Sequence, residues 1–196
     1  MNIIEAIVQF FKNLFSMSKT KPAPAKKPST APAKPAKSSK RTLYALMVAI
    51  DRYAPPVPPL RGCVNDRDAL KEYLERQFAK SKDTTLKIQT LTDHEATREG
   101  IIKAFSHFDA ATPNDICLFF FSGHGSQAPS PKEFLHLDPD GMNESLVCFD
   151  SRNGAKDLMD KELSYLLWKA THGKNQHFIT IFDCCHSGTI TRNSVM

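Results

Sequence analysis

Four short apolar runs, spaced out by amphipathic stretches, constrain this chain more than any other feature. They are Tyr44–Ile50 (YALMVAI), Leu86–Leu91 (LKIQTL), Ile116–Phe121 (ICLFFF) and Phe178–Phe182 (FITIF). The first, third and fourth are apolar throughout, which is the pattern of strands buried on both faces. Helical periodicity fills the gaps. Over 65–78, Ala69, Leu70, Tyr73, Leu74 and Phe78 share one face; over 97–108, Ile101, Ile102, Phe105 and Phe108 do; over 160–171, Leu163, Leu166, Leu167 and Ala170 do. Alternation of strand and helix predicts a three-layer α/β fold, an open and mainly parallel sheet with helices on both faces. A shorter run, Leu146–Phe149, reads as a further strand.

Charge divides the chain. Among 196 residues the formal net charge is +5, but residues 1–41 hold nine of the 26 Lys+Arg and one of the 21 Asp+Glu. Residues 42–196 hold the other 17 and 20, so the body is mildly acidic. The basic balance therefore belongs to an N-terminal arm and gives the body no nucleic-acid-binding character. No apolar run reaches the roughly 18 residues of a membrane-spanning helix. Within the arm, residues 1–15 predict an amphipathic helix with Ile3, Ile4, Ile7, Val8, Phe11, Leu14 and Phe15 on one face. A partner-docking helix, a helix lying on a membrane surface and a helix packed on its own domain all fit that pattern. Residues 16–41 are rich in Pro, Ala, Lys and Ser and contain no aromatic residue. Such a composition buries too little surface to offset its ordering entropy, which predicts a disordered linker. The folded domain is expected over 42–196.

The five cysteines, Cys63, Cys117, Cys148, Cys184 and Cys185, include no CxxC pair. That argues against a zinc ribbon or a thioredoxin-type site. An odd count with two neighbours in sequence fits free thiols in a reducing, cytoplasmic setting, with peripheral membrane contact through the N-terminus as a further expectation.

Working residues in open α/β sheets gather beyond the carboxyl ends of the strands. Two strand ends are unusual here. ICLFFF runs into Ser122-Gly123-His124-Gly125-Ser126, and FITIF runs into Asp183-Cys184-Cys185-His186-Ser187-Gly188. Both read as central strands, so a His and a Cys arrive at one sheet edge from distant segments. A thiolate is the strongest side-chain nucleophile, and a nearby imidazole can take the thiol proton and later protonate a leaving amine. Backbone N–H groups of Gly125 and Cys185 are placed to stabilise an oxyanion. Two unrelated loop residues would give the same letters, so the pairing alone leaves that alternative open.

The sequences FFFSGHGS and IFDCCHSG resemble the two catalytic blocks of caspase-like cysteine peptidases, specifically the metacaspases. LRGCVND (60–66) and DGMNESL (140–146) match further blocks of that family, so the resemblance covers about residues 43–188. It implies the caspase-like fold, a base at His124 and a nucleophile at Cys185, chosen over Cys184 by the pattern Asp-x-Cys-x-Ser-Gly. It also implies a specificity pocket of Asp66, Ser122 and Asp183. Two carboxylates select a cation, so cleavage is expected after Arg or Lys. Calcium is implied as an activator, with Asp138, Asp140, Asp157 and Asp160 as candidate ligands. The family pattern departs at Lys161, which follows Asp160 where a second aspartate often stands. Caspase-like chains continue into further strands beyond the nucleophile. Here 11 residues follow it, so the small-subunit strands are expected to be missing, and a separate partner chain would then complete the sheet. The other reading of the whole is a catalytically incomplete interaction module recruited through the arm.

Overall fold

The structure is a computed structural model that describes residues 40–174 and 177–184. The arm helix, nearly all of the linker and Cys185 lie outside the described residues. In chain order the elements are β1 (Arg41–Ala49), α1 (Cys63–Phe78), β2 (Thr84–Thr92), α2 (Arg98–Ala104), β3 (Ile116–Ser122), β4 (Gly125–Pro129), β5 (Met142–Leu146), β6 (Leu158–Met159), α3 (Asp160–Thr171) and β7 (His177–Asp183). A short 3-10 turn, Phe105–Phe108, continues α2.

The four apolar runs form one sheet in the order β2-β1-β3-β7, and every pair in it is parallel. All seven residues of β3 are buried. Helices cover both faces, as the alternation predicts. On one face, Leu70, Tyr73 and Leu74 of α1 pack on Leu43, Ala45, Met47, Leu118 and Phe120. On the other, Ile101, Phe105, Phe108, Leu163 and Leu167 pack on Leu46, Val48, Phe119 and Phe121. Each such fully buried side chain contributes about 1.5–3 kcal/mol of transfer free energy.

A second, smaller sheet, β4-β5-β6, is antiparallel. It corrects one strand assignment. The expected strand at Leu146–Phe149 is β5, displaced upstream to Met142–Leu146. Residues 147–149 bond three different places instead of one neighbour. Val147 N–H donates to His124 O, Cys148 N–H to Ser151 Oγ, and Phe149 N–H to Ala96 O. β7 also departs from its apolar appearance: most of its residues are half-buried, because it is an edge strand among the described residues.

Candidate active site

The chain passes from β1 out to β2 on one side and then to β3 on the other. The sheet order therefore reverses between β1 and β3, the position at whose carboxyl ends open α/β sheets place their binding crevice. Register sets the crevice floor. Ala49 lies beside Ser122, and Ser122 beside Asp183, across three strands. Ser122 Oγ donates to Asp183 Oδ2 at 2.9 Å, and Gly123 N–H donates to Asp183 O at 3.3 Å. Ser122 and Asp183, picked out in the sequence, are thus direct partners.

His124 stands just above that floor. Its backbone N–H donates to Tyr53 Oη at 2.7 Å, and the two rings lie 5.0 Å apart. Its Nε2 is 3.0 Å from Pro58 O. A carbonyl oxygen can only accept, so Nε2 carries a hydrogen, and Nδ1 is the nitrogen left to exchange a proton. Gly123 makes this approach feasible: a Cβ there would sit 2.5 Å from Tyr53 Oη and 3.0 Å from Phe121 Cζ. Gly125, a proposed oxyanion donor, opens β4 opposite Leu146.

Asp66 enters from the first turn of α1. Gly62, at φ +113°, turns the chain into that helix in a conformation that other residues adopt only with strain. Asp51, just beyond β1, caps it from outside: its carboxylate accepts from Cys63 N–H at 3.0 Å and Val64 N–H at 3.4 Å. Burial, then the charges of Asp183 and Asp51, push the Asp66 carboxyl above its ordinary range. Three carboxylates are therefore within electrostatic reach of one another, and Asp183 among them holds Ser122. Cys63 sits among them, and burial and Asp51 raise its thiol to about 11 in spite of a Ser122 hydrogen bond. A neutral thiol of that kind is no nucleophile. Cys184 is half-buried against the core.

The strand-end motifs, with the helix-start Asp66, therefore converge on one edge, and the structure brings Asp66, Ser122, Asp183 and His124 together. Cys185 follows Asp183 by two residues in sequence, outside the described residues. Asp51, Tyr53 and Pro58 belong to the same site and escaped the sequence reading. They lie in the loop after β1, and no periodic pattern marks them.

Residues 43–193 match the model of the metacaspase, peptidase C14 domain. The chain belongs to the metacaspases. It is 32% identical over 166 residues to Metacaspase-1 of Plasmodium falciparum, covering 77% of this chain and 26% of that protein. It is 30% identical over 152 residues to Metacaspase-1A of Aspergillus niger, covering 74% and 35%. The crystal structure of protein GSU0716 from Geobacter sulfurreducens aligns with a TM-score of 0.55 at 28% identity, over 77% of this chain and 53% of that one. This metacaspase chain spans about a third or less of the curated relatives named here.

The four carboxylates implied as calcium ligands do not form a binding group in this metacaspase. Asp140 accepts from Met142 N–H at 3.0 Å. Asp157 accepts from Ser145 Oγ at 3.2 Å and pairs with Arg152 at 3.3 Å. Asp138 and Asp160 both bind the ammonium of Lys161. Burial raises Asp138, but hydrogen bonds from Lys161 and Ser130 outweigh it and hold that carboxyl below its usual range. Among the described residues no three His, Cys, Asp or Glu side chains are grouped to hold a metal ion. A divalent ion does not fit where an ammonium already stands.

Proposed function

We propose that this chain is a cysteine endopeptidase that cleaves after Arg or Lys, with His124 as base and Cys185 as nucleophile. The observation that carries the specificity is the Ser122–Asp183 hydrogen bond two residues before His124, with Asp66 close enough to feel the charges of Asp183 and Asp51. Carboxylates that raise one another's pKa are stabilised by a bound cation, and a guanidinium fork bridges two of them better than any other side chain.

The chemistry follows from the ring's orientation. With Nε2–H held by Pro58 O, Nδ1 takes the Cys185 proton. The thiolate attacks the carbonyl carbon, and the oxyanion accepts from the backbone N–H groups of Gly125 and Cys185. The imidazolium gives its proton to the departing amine, which leaves a thioester. Water activated by the same imidazole hydrolyses that thioester and restores the thiol. Tyr53 acts on His124 by position alone.

Fluorogenic peptides ending in Arg, Lys or Asp test the reading, with wild type and Cys185→Ala side by side. Turnover of Arg and Lys peptides, absent with Asp peptides and absent in Cys185→Ala, is expected. Equal cleavage by the Cys185→Ala protein would end the dyad assignment.

One observation favours a second reading, a regulatory module recruited through the arm. β7 is an edge strand among the described residues, and an edge is a template for a strand from another chain, such as a small-subunit-like partner. Turnover by the purified chain alone excludes that reading.

A further inference from the structure

The loop between β4 and β5 is closed on itself by Ser130 N–H donating to Gly141 O at 2.8 Å and Gly141 N–H donating to Asp138 O at 2.9 Å. Asp138 projects from this loop to α3. There Lys161 Nζ binds Asp138 Oδ1 and also Asp160 Oδ2, the latter at 2.8 Å, while Ser130 Oγ donates to Asp138 Oδ2. The three charged side chains are 6%, 3% and 14% exposed for Asp138, Asp160 and Lys161. Asp160 suits the first turn of α3, where the helix dipole favours an anion; Lys161 does not. Only the two carboxylates account for a buried ammonium at that end of a helix. Both Lys161 and Asn143 line a cavity of about 640 Å³, and Asn143 Oδ1 is buried with no hydrogen-bond partner. Two carboxylates and a hydroxyl gathered around one enclosed positive charge are the surroundings of a hard cation.

We propose that Lys161 is a resident cation, the chain's own ammonium standing between Asp138 and Asp160 where an oxygen-ligated divalent ion would otherwise bind, so that the β4–β5 loop is tied to α3 without metal. Two consequences follow. The wild-type protein gains nothing from calcium at this place, because an ion would have to displace an ammonium held at high effective concentration by its own backbone. Removing the ammonium leaves two facing carboxylates and Ser130 Oγ, oxygen donors of the kind a divalent ion takes. This inference concerns stability and ion binding, so it stands or falls separately from the peptidase reading.

The experiment is thermal unfolding of the full chain in EDTA and in millimolar CaCl₂, with Tb³⁺ luminescence as the direct binding readout. Wild type should unfold at the same temperature in both and show no saturable Tb³⁺ signal that is lost in Asp138→Asn. Lys161→Gln should unfold earlier in EDTA and recover by about 3 °C or more in CaCl₂. Should Lys161→Gln fail to fold in EDTA, refolding with CaCl₂ should restore it. The double variant Asp138→Asn/Lys161→Gln, with one charge of each sign removed, should fold and ignore calcium. Calcium stabilisation of wild type that disappears in Asp138→Asn overturns the proposal. So does a Lys161→Gln protein, folded or not, that calcium leaves unchanged.

Discussion

Asp66 shows how one residue can work against stability. Burial, Asp183 and Asp51 raise its folded-state pKa. A carboxyl with a raised folded pKa contributes stability that is complete below its unfolded pKa and lost as pH rises through the folded value. At neutral pH Asp66 is therefore charged at a cost. Asp66→Asn should raise Tm at pH 7 by about 2 °C, and the difference should disappear on acidification below the carboxylate range, where wild type is protonated as well. The same variant should lose roughly 10²-fold in kcat/KM on Arg peptides, since it removes one partner of a charged hydrogen bond. Calorimetry with peptide kinetics reads both, and a lowered Tm with unchanged kcat/KM would remove Asp66 from the pocket. Asp66 was legible in the sequence through its motif. Asp51 was not, because its part is a contact with backbone N–H groups 12 and 13 residues away. Tyr53 was hidden for the same reason, reaching His124 across 71 residues.

At the level of elements, strong periodicity was readable and weak periodicity was not. α3 occupies the residues its apolar spacing predicts, Asp160–Thr171. β1, β3 and β7 coincide with continuous apolar runs. β4, reading GSQAP, has no strand pattern and exists because β5 pairs with it. The predicted helix over 97–108 keeps its face but tightens to a 3-10 turn after Ala104. Element geometry also sets the next expectation. The turn from β3 into β4 brings His124 against Tyr53, and Gly123 is the residue that leaves room. Gly123→Ala puts a Cβ 2.5 Å from Tyr53 Oη, so either the tyrosine or the β3 end must move. Overpacking of this kind costs about 1–3 kcal/mol. Tm should fall by roughly 3–8 °C, and kcat should fall by about 10²-fold with KM nearly unchanged, because the base is displaced while Asp66 and Asp183 stay. A variant with wild-type kcat would show that His124 does not depend on this turn.

Over the whole molecule, the separation of a basic arm from an acidic body gives the proposed specificity a target within the chain itself. Cleavage needs an extended segment, and several of the body's basic residues sit in folded elements and in ion pairs. Lys71 and Arg76 pair with Glu75 and Glu72 along α1, Arg98 pairs with Glu162, and Lys161 is enclosed by two carboxylates. Residues 16–40 carry seven lysines between prolines, alanines and serines, in a composition that disfavours a packed fold. Lysines of the arm are therefore the sites most open to a peptidase selective for cations. Incubated wild-type protein should acquire a new N-terminus directly after a lysine between 19 and 40. Cys185→Ala should retain Met1 under the same conditions, where a contaminating peptidase would remove it, and lose it when a little wild type is added, which shows cleavage between molecules. N-terminal sequencing reads the outcome. A wild-type preparation that turns over Arg peptides fully while keeping Met1 would mean that the arm, despite its lysines, is not presented to the crevice.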